Sequence, residues 1–413
     1  MAMTRMTAPR AGARLVLCAV AALAVACGGA SSTRSPHGGA TPTPCSASES
    51  SGCASAPAAI PSASVTSSAT SSATVSPATP TWTPIAGFAA ASVTFVSSDD
   101  GWALGTVGGA LAVARTQDGG STWTSVTPPP THFSGQGVEA SSGVSGIRFA
   151  NTEDGWVFGP ELWATQDGGS TWTEISLPGV AAGSPVWSLE TSGGIVAAAV
   201  QATGTASLDI ETSPAGSSAW SLSPASVEVG AGPIPSPQLV LQGSAGWLLE
   251  NDRTVVGGAR LQSGSWSSWT PACSTAGGAA ALAASSSQDL LAVCDVGAYT
   301  GPSPAEDAFV STNGGAGFTG LPASLPSGCQ GSATLASASS SLAAAGCGAE
   351  IVATFNGGGS WAPVYSGATG TSIVYVGFTT TTQGVAIATA TGTASGTLLM
   401  TRNGGESWAA VTI

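Results

Sequence analysis

Thr116–Trp123 reads TQDGGSTW, and the same eight residues return unchanged at Thr165–Trp172. An octamer repeated without alteration implies a repeated structural unit. Three looser copies follow: STNGGAGF at Ser311–Phe318, TFNGGGSW at Thr354–Trp361 and TRNGGESW at Thr401–Trp408. Two eroded ones, TSPAGSSAW at Thr212–Trp220 and LQSGSW at Leu261–Trp266, are marked mainly by position. The closing aromatics Trp123, Trp172, Trp220, Trp266, Phe318, Trp361 and Trp408 stand 49, 48, 46, 52, 43 and 47 residues apart. Seven units of this length predict a propeller or a related repeat array.

Each unit reads as four short strands. Val93–Val96 and Trp102–Leu104 flank the turn SSDDG, and Ile147–Phe149 and Trp156–Phe158 flank NTEDG, which is hairpin chemistry. A third strand leads into the octamer (Leu111–Thr116, Leu162–Thr165) and a fourth starts at its tryptophan. Four antiparallel strands per unit make a propeller blade. The expected fold is therefore all-β, a seven-bladed propeller over residues 81–413, with Trp82-Thr83 as an extra outer strand able to help close the ring. The 57 glycines and 26 prolines leave little room for long helices, which agrees.

The net charge is −13, and the nine basic residues are all arginine. So acidic a chain repels nucleic acid and anionic lipid head groups, which argues against both as direct partners. Residues 1–27 have the form of a secretion signal: Arg5, Arg10 and Arg14 precede the apolar run Leu15–Ala26, which is too short to span a bilayer. The run ends in Leu23-Ala24-Val25-Ala26-Cys27-Gly28, which resembles a bacterial lipoprotein lipobox. That resemblance implies lipidation of Cys27 and a place on the outer face of the cell membrane, with simple secretion as the alternative. Residues 28–80, built of Ser, Thr, Ala, Pro and Gly, predict a disordered stalk, inside which Cys45 and Cys53 have no evident role.

Four cysteines fall in the propeller. Cys273 and Cys294 bracket the first hairpin of the fifth unit, and Cys329 and Cys347 that of the sixth, as cross-strand neighbours would. In an exported chain this predicts two disulfides, Cys273–Cys294 and Cys329–Cys347. A metal site is the alternative, but no histidine lies near, so neither metal nor cofactor is expected.

The octamer follows S/T-x-D/N-x-G-x-T/S-W and resembles the Asp-box, or BNR repeat, of sialidases, sortilin-type receptors and the photosystem II assembly and stability factor family. With an Asp/Gly-Trp turn ahead of each box, the whole unit is most similar to the last group, and the resemblance implies a propeller with a helper or scaffold role. Asp118, Asp167, Asn313, Asn356 and Asn403 can each accept backbone N–H bonds across the turn. Gly119, Gly168, Gly314, Gly357 and Gly404 follow and supply positive φ, Gly120 and Gly169 belong to the same turns, and Trp123, Trp172, Trp361 and Trp408, with Phe318 at the equivalent place, bury aromatic area. Asp and Asn interchange between copies, and an amide replaces a carboxylate as an acceptor but not as an acid or an anionic metal ligand. The box is therefore expected to be structural.

A sialidase-type site needs an arginine triad, a Tyr/Glu pair and an acid. The propeller holds only Arg115, Arg148, Arg253, Arg260 and Arg402, of which Arg402 lies in a box and Arg115 just before one. His132 is the one histidine outside the stalk, so Ser–His chemistry has no obvious base. Carboxylate neighbours such as Glu153-Asp154 and Glu306-Asp307 read as turn caps. No catalytic residue is assigned. The long connections Thr127–Gly143, Ser223–Pro237 and Val296–Asp307 gather on the face opposite the boxes, where binding loops sit on rigid scaffolds. His132, Phe133, Glu139, Glu228, Tyr299, Glu306 and Asp307 are the candidate binding residues. The expected function is a monomeric, non-enzymatic protein-binding or assembly scaffold at the cell surface, its partner an unknown protein or a cell-wall glycan; the alternative is a glycan-binding or sialidase-type hydrolytic propeller.

Overall fold

The computed structural model describes residues 83–413, apart from 136–141, 202–203, 231–234, 253, 276–277, 297–304, 327–328 and 330–333. Cys27, the stalk with Cys45 and Cys53, Trp82, Glu139 and Tyr299 lie outside the described residues. The described part belongs to one compact unit, Ala78–Ile413.

Its 28 strands fall, in chain order, into seven antiparallel four-stranded blades. Five are separate sheets, and the first and last share one bridge between Ala90 and Gly396. The first strand of each blade is innermost: Phe88–Phe95, Gly146–Phe149, Val186–Ser192, Pro237–Gln242, Ala280–Ala284, Thr334–Ser337 and Thr371–Phe378. These strands pack side by side from blade to blade, and that of blade one meets the second and third strands of blade seven.

The strand sequences explain the stacking. A blade is buried on both faces, so its second strand is mostly apolar, and successive residues serve opposite neighbours. In Ile195–Gln201, Val196, Ala198 and Val200 pack toward blade two while Ala197 and Ala199 pack toward blade four. Small residues such as these let neighbouring sheets approach, and the tryptophans fill what remains. Among the described residues the buried apolar side chains form seven clusters, one at each blade interface. The closing cluster sets Ala90, Val93, Ala103, Ala114 and Trp123 against Val385, Ile387, Leu398, Met400 and Ile413. Each blade is one continuous stretch of chain. Thr83 is not in a strand, and Trp82 lies outside the described residues; the two ends are joined by the Ile85 N–H, which donates to Ile413 O at 3.0 Å.

Cys273 is joined to Cys294, and Cys329 to Cys347. Neither is a cross-strand pair. Cys273 lies in a 3-10 turn, Ala272–Thr275, and the residue opposite Cys294 is Ala280; Cys329 likewise precedes the strand Thr334–Ser337. Each bridge thus ties the connection entering a blade to that blade's second strand.

Candidate binding site

The boxes are turns locked by side-chain bonds. In Thr165–Trp172, Asp167 Oδ1 accepts from the Thr165 hydroxyl and the Thr171 N–H, both at 2.8 Å, and Oδ2 accepts from the Thr171 hydroxyl at 2.6 Å. The Thr171 hydroxyl, then its N–H and the Thr165 hydroxyl, hold the Asp167 carboxyl below the usual range. In Thr401–Trp408, Asn403 Oδ1 accepts from Thr401 Oγ1 at 2.9 Å and from the Ser407 N–H at 3.1 Å, while Nδ2 donates to Ser407 Oγ at 3.0 Å. One bond reverses polarity and the turn is unchanged, so the position requires an acceptor and no charge. Gly168 has φ +71°, and a Cβ there would lie 2.9 Å from Thr152 O. Blade four has lost the device: Ser263-Gly264, with φ of 53° and 77°, makes a two-residue hairpin in its place.

A second role of the box is to carry carbonyls for the preceding blade. The buried Trp102 indole donates to Gly168 O and that of Trp247 to Gly314 O, each at 3.0 Å. Arg260 Nη1 joins Trp247 on Gly314 O at 3.0 Å, and the Trp269 indole reaches Gly315 O at 2.8 Å. Across the closing seam Arg402 Nη2 donates to Gly119 O at 2.7 Å. The Arg115 guanidinium lies over the Trp102 ring, 4.9 Å from its centroid. Three of the five propeller arginines are therefore committed at blade interfaces.

Among the described residues, the candidates from the long loops lie on different blades. His132 is exposed, but Phe133 is partly buried against the cluster between blades one and two and forms a bridge with Val144. Their loop is held by Glu161, whose carboxylate accepts from Thr131 Oγ1 at 2.7 Å, the Gly143 N–H at 2.8 Å and the Trp163 indole at 3.0 Å. Burial pushes Glu161 up, but these bonds and His132 outweigh it and hold the carboxyl below its usual range. Glu228 is not in a loop: it ends the strand Ser221–Glu228, exposed and opposite Ser207. Glu306 and Asp307 also lie in a strand, Ala305–Ser311, rather than in the connection before it. Glu306 is buried opposite Asp295, and Asp307 accepts from Ser324 Oγ at 2.7 Å. Cross-strand partners distant in sequence took these acids into the sheet.

The polar cavity lies elsewhere, at the axis. A space of ≈ 380 Å³ is lined by Thr94, Arg148, Glu190, Thr191, Tyr375 and Thr379 among others. These residues come from the ends of the inner strands of blades one, two, three and seven that lead into the first turn of each blade. That is the box-bearing end, opposite the loop-rich face. Arg148 Nε donates to Glu190 Oε1 at 2.7 Å, and Nη1 donates to Ile147 O at 2.8 Å and Ser92 Oγ at 3.3 Å. Its Cζ lies 5.5 Å from the centroid of the Tyr375 ring. Burial opposes the charge on Arg148, but Glu190 and then Tyr375 stabilise it and leave the guanidinium more basic than usual. Burial raises the Glu190 carboxyl, with Arg148 pulling against it. Loop length could not reveal this trio; the available signal was a lone charge in each of two inner strands, Arg148 in the otherwise apolar Gly146–Phe149 and Glu190 in Val186–Ser192.

Residues 81–233 match the family model described as photosynthesis system II assembly factor YCF48. Among curated proteins none matches the sequence. Of solved structures, YCF48 bound to a D1 peptide aligns with TM-score 0.53 at 17% identity, covering 76% of this chain and 93% of that one. YCF48 from Cyanidioschyzon merolae aligns with TM-score 0.53 at 16% identity, covering 77% and 96%. The β-propeller domain of the Trilobed protease from Pyrococcus furiosus gives 0.50 at 8% identity, covering 79% and 96%. At such identities the structural likeness concerns fold, and the family match adds a sequence relation over the first three blades. The chain is a BNR-type β-propeller, related through residues 81–233 to the photosystem II assembly factor.

Proposed function

We propose that the protein is a non-enzymatic scaffold that binds a polypeptide partner at its axial cavity and is held at the cell surface through Cys27. The observation that carries this reading is the Arg148–Glu190 pair, a charged group from each of two blades meeting at 2.7 Å in a polar cavity on the propeller axis. Structural ion pairs need no cavity, whereas binding sites are concave with a few placed polar groups. The sequence relation to an assembly factor, and a solved propeller of the same fold that holds a peptide, support a protein as the partner. Glu190 is bound to a guanidinium, which suits recognition better than acid-base catalysis.

Capture of partners from the native cells by chemical crosslinking tests the reading. Arg148 and Glu190 are half-buried, and removing one member of a desolvated pair leaves the other charge uncompensated, so the variant of choice is Arg148→Met with Glu190→Leu. It should lose the partner that the wild-type chain captures; retention of that partner would refute the axial site. For the anchor, Cys27→Ala should release the protein into the medium, and unchanged membrane association would remove lipidation.

A further inference from the structure

The Arg148–Glu190 pair also restricts the chemistry of what enters the cavity. A guanidinium has five N–H donors. The Nε donor is taken by Glu190, and Nη1 serves Ile147 O and Ser92 Oγ. Nη2 has no hydrogen bond among the described residues, and Glu190 meets the guanidinium through Oε1. The cavity wall therefore offers donors and an acceptor side by side, on groups whose charges cancel. A carboxylate entering it would find the Arg148 charge already neutralised and the Glu190 carboxylate adjacent. An ammonium would meet the converse arrangement. A neutral group bearing an acceptor and a donor on neighbouring atoms satisfies both without disturbing the pair.

Two neutral classes meet that description, carboxamides and sugars. Sugars are commonly held against the open face of an aromatic ring, whereas each of the four rings lining this cavity already packs on a neighbour, Phe95 edge-on to Trp123 with centroids 6.0 Å apart. Phe149 is stacked on Trp102 with centroids 3.8 Å apart, Phe378 packs on Trp408 at 6.1 Å, and Tyr375 carries the Arg148 guanidinium. Building on the cavity as the partner site, we propose that it takes a carboxamide, the side chain of an asparagine or glutamine at the tip of a partner polypeptide. The C=O would accept from Arg148 Nη2 and the NH₂ would donate to Glu190.

Saturation-transfer NMR on the full chain tests this with four probes: N-acetyl-glutamine N-methylamide, the matching glutamate and lysine compounds, and cellobiose. The glutamine probe is expected to bind about tenfold more tightly than the other three, a difference worth one hydrogen-bonded pair. Glu190→Gln, nearly the same shape, leaves the Arg148 charge uncompensated and should shift preference toward the glutamate probe by a similar factor. A thermal melt followed by circular dichroism checks that this variant is folded. Preference for glutamate, lysine or cellobiose in the wild type, absence of glutamine-probe binding, or unchanged selectivity in Glu190→Gln would overturn the carboxamide assignment. If partner capture still depends on Arg148 and Glu190 in that event, the axial site stands and only its ligand class falls.

Discussion

Asp167 and Asn403 perform one task with different chemistry. Both present Oδ1 to a hydroxyl two residues earlier and an N–H four residues later. Asp167→Asn should therefore leave stability within about 0.5 kcal/mol, whereas Asp167→Ala, which strips acceptors from the turn, should cost about 1 kcal/mol or more. Urea denaturation followed by tryptophan fluorescence separates the two. Because hydrogen bonding lowers the Asp167 pKa, its contribution is complete above the unfolded carboxylate pKa and is lost as pH falls through the folded one. That acid-side loss should be absent in Asp167→Asn. The internal exchange of Asp for Asn writes this role into the sequence itself.

At the scale of paired strands the chain holds a less stable arrangement. Asp295 and Glu306 face each other across Leu290–Val296 and Ala305–Ser311, both buried, and Asp295 Oδ1 and Glu306 Oε2 have no hydrogen-bond partner among the described residues. Burial, and then the Asp295 charge, push the Glu306 pKa up to about 7. The folded chain thus keeps a proton that the unfolded chain has released, and the Glu306 contribution to stability is complete below the unfolded pKa and is lost as pH rises through about 7. The melting temperature should drop between pH 5.5 and pH 8, and Glu306→Gln should remove most of that drop, as differential scanning calorimetry would read. The adjacent charges Glu306-Asp307 suggest a solvated loop in the sequence; the register that buries Glu306 depends on its pairing with Asp295, which the local pattern does not specify. The pinning of the first long loop by Glu161 was hidden for the same reason, since Thr131, Gly143 and Trp163 converge on it only after folding.

For the whole molecule, blade number and the Asp-box register were legible because repetition is written in the sequence. Ring closure was not, because it depends on contacts between the two ends, chiefly the Ala90-to-Ile413 cluster and the Arg402 bond to Gly119 O. Arg402→Ala should cost about 1–3 kcal/mol and speed hydrogen exchange around Gly119 and Ile85 before other blades respond; uniform exchange would place closure elsewhere. The axial site was hidden too, since Arg148, Glu190 and Tyr375 meet only when blades two, three and seven are arranged around an axis. The proposed binding takes place there and not on the loop-rich face. A photo-crosslinking amino acid placed at Thr379 on the cavity wall, or at His132 on the opposite face, distinguishes the two in intact cells. A discrete partner adduct from Thr379 and none from His132 is the predicted result; an adduct from His132 alone would contradict the account.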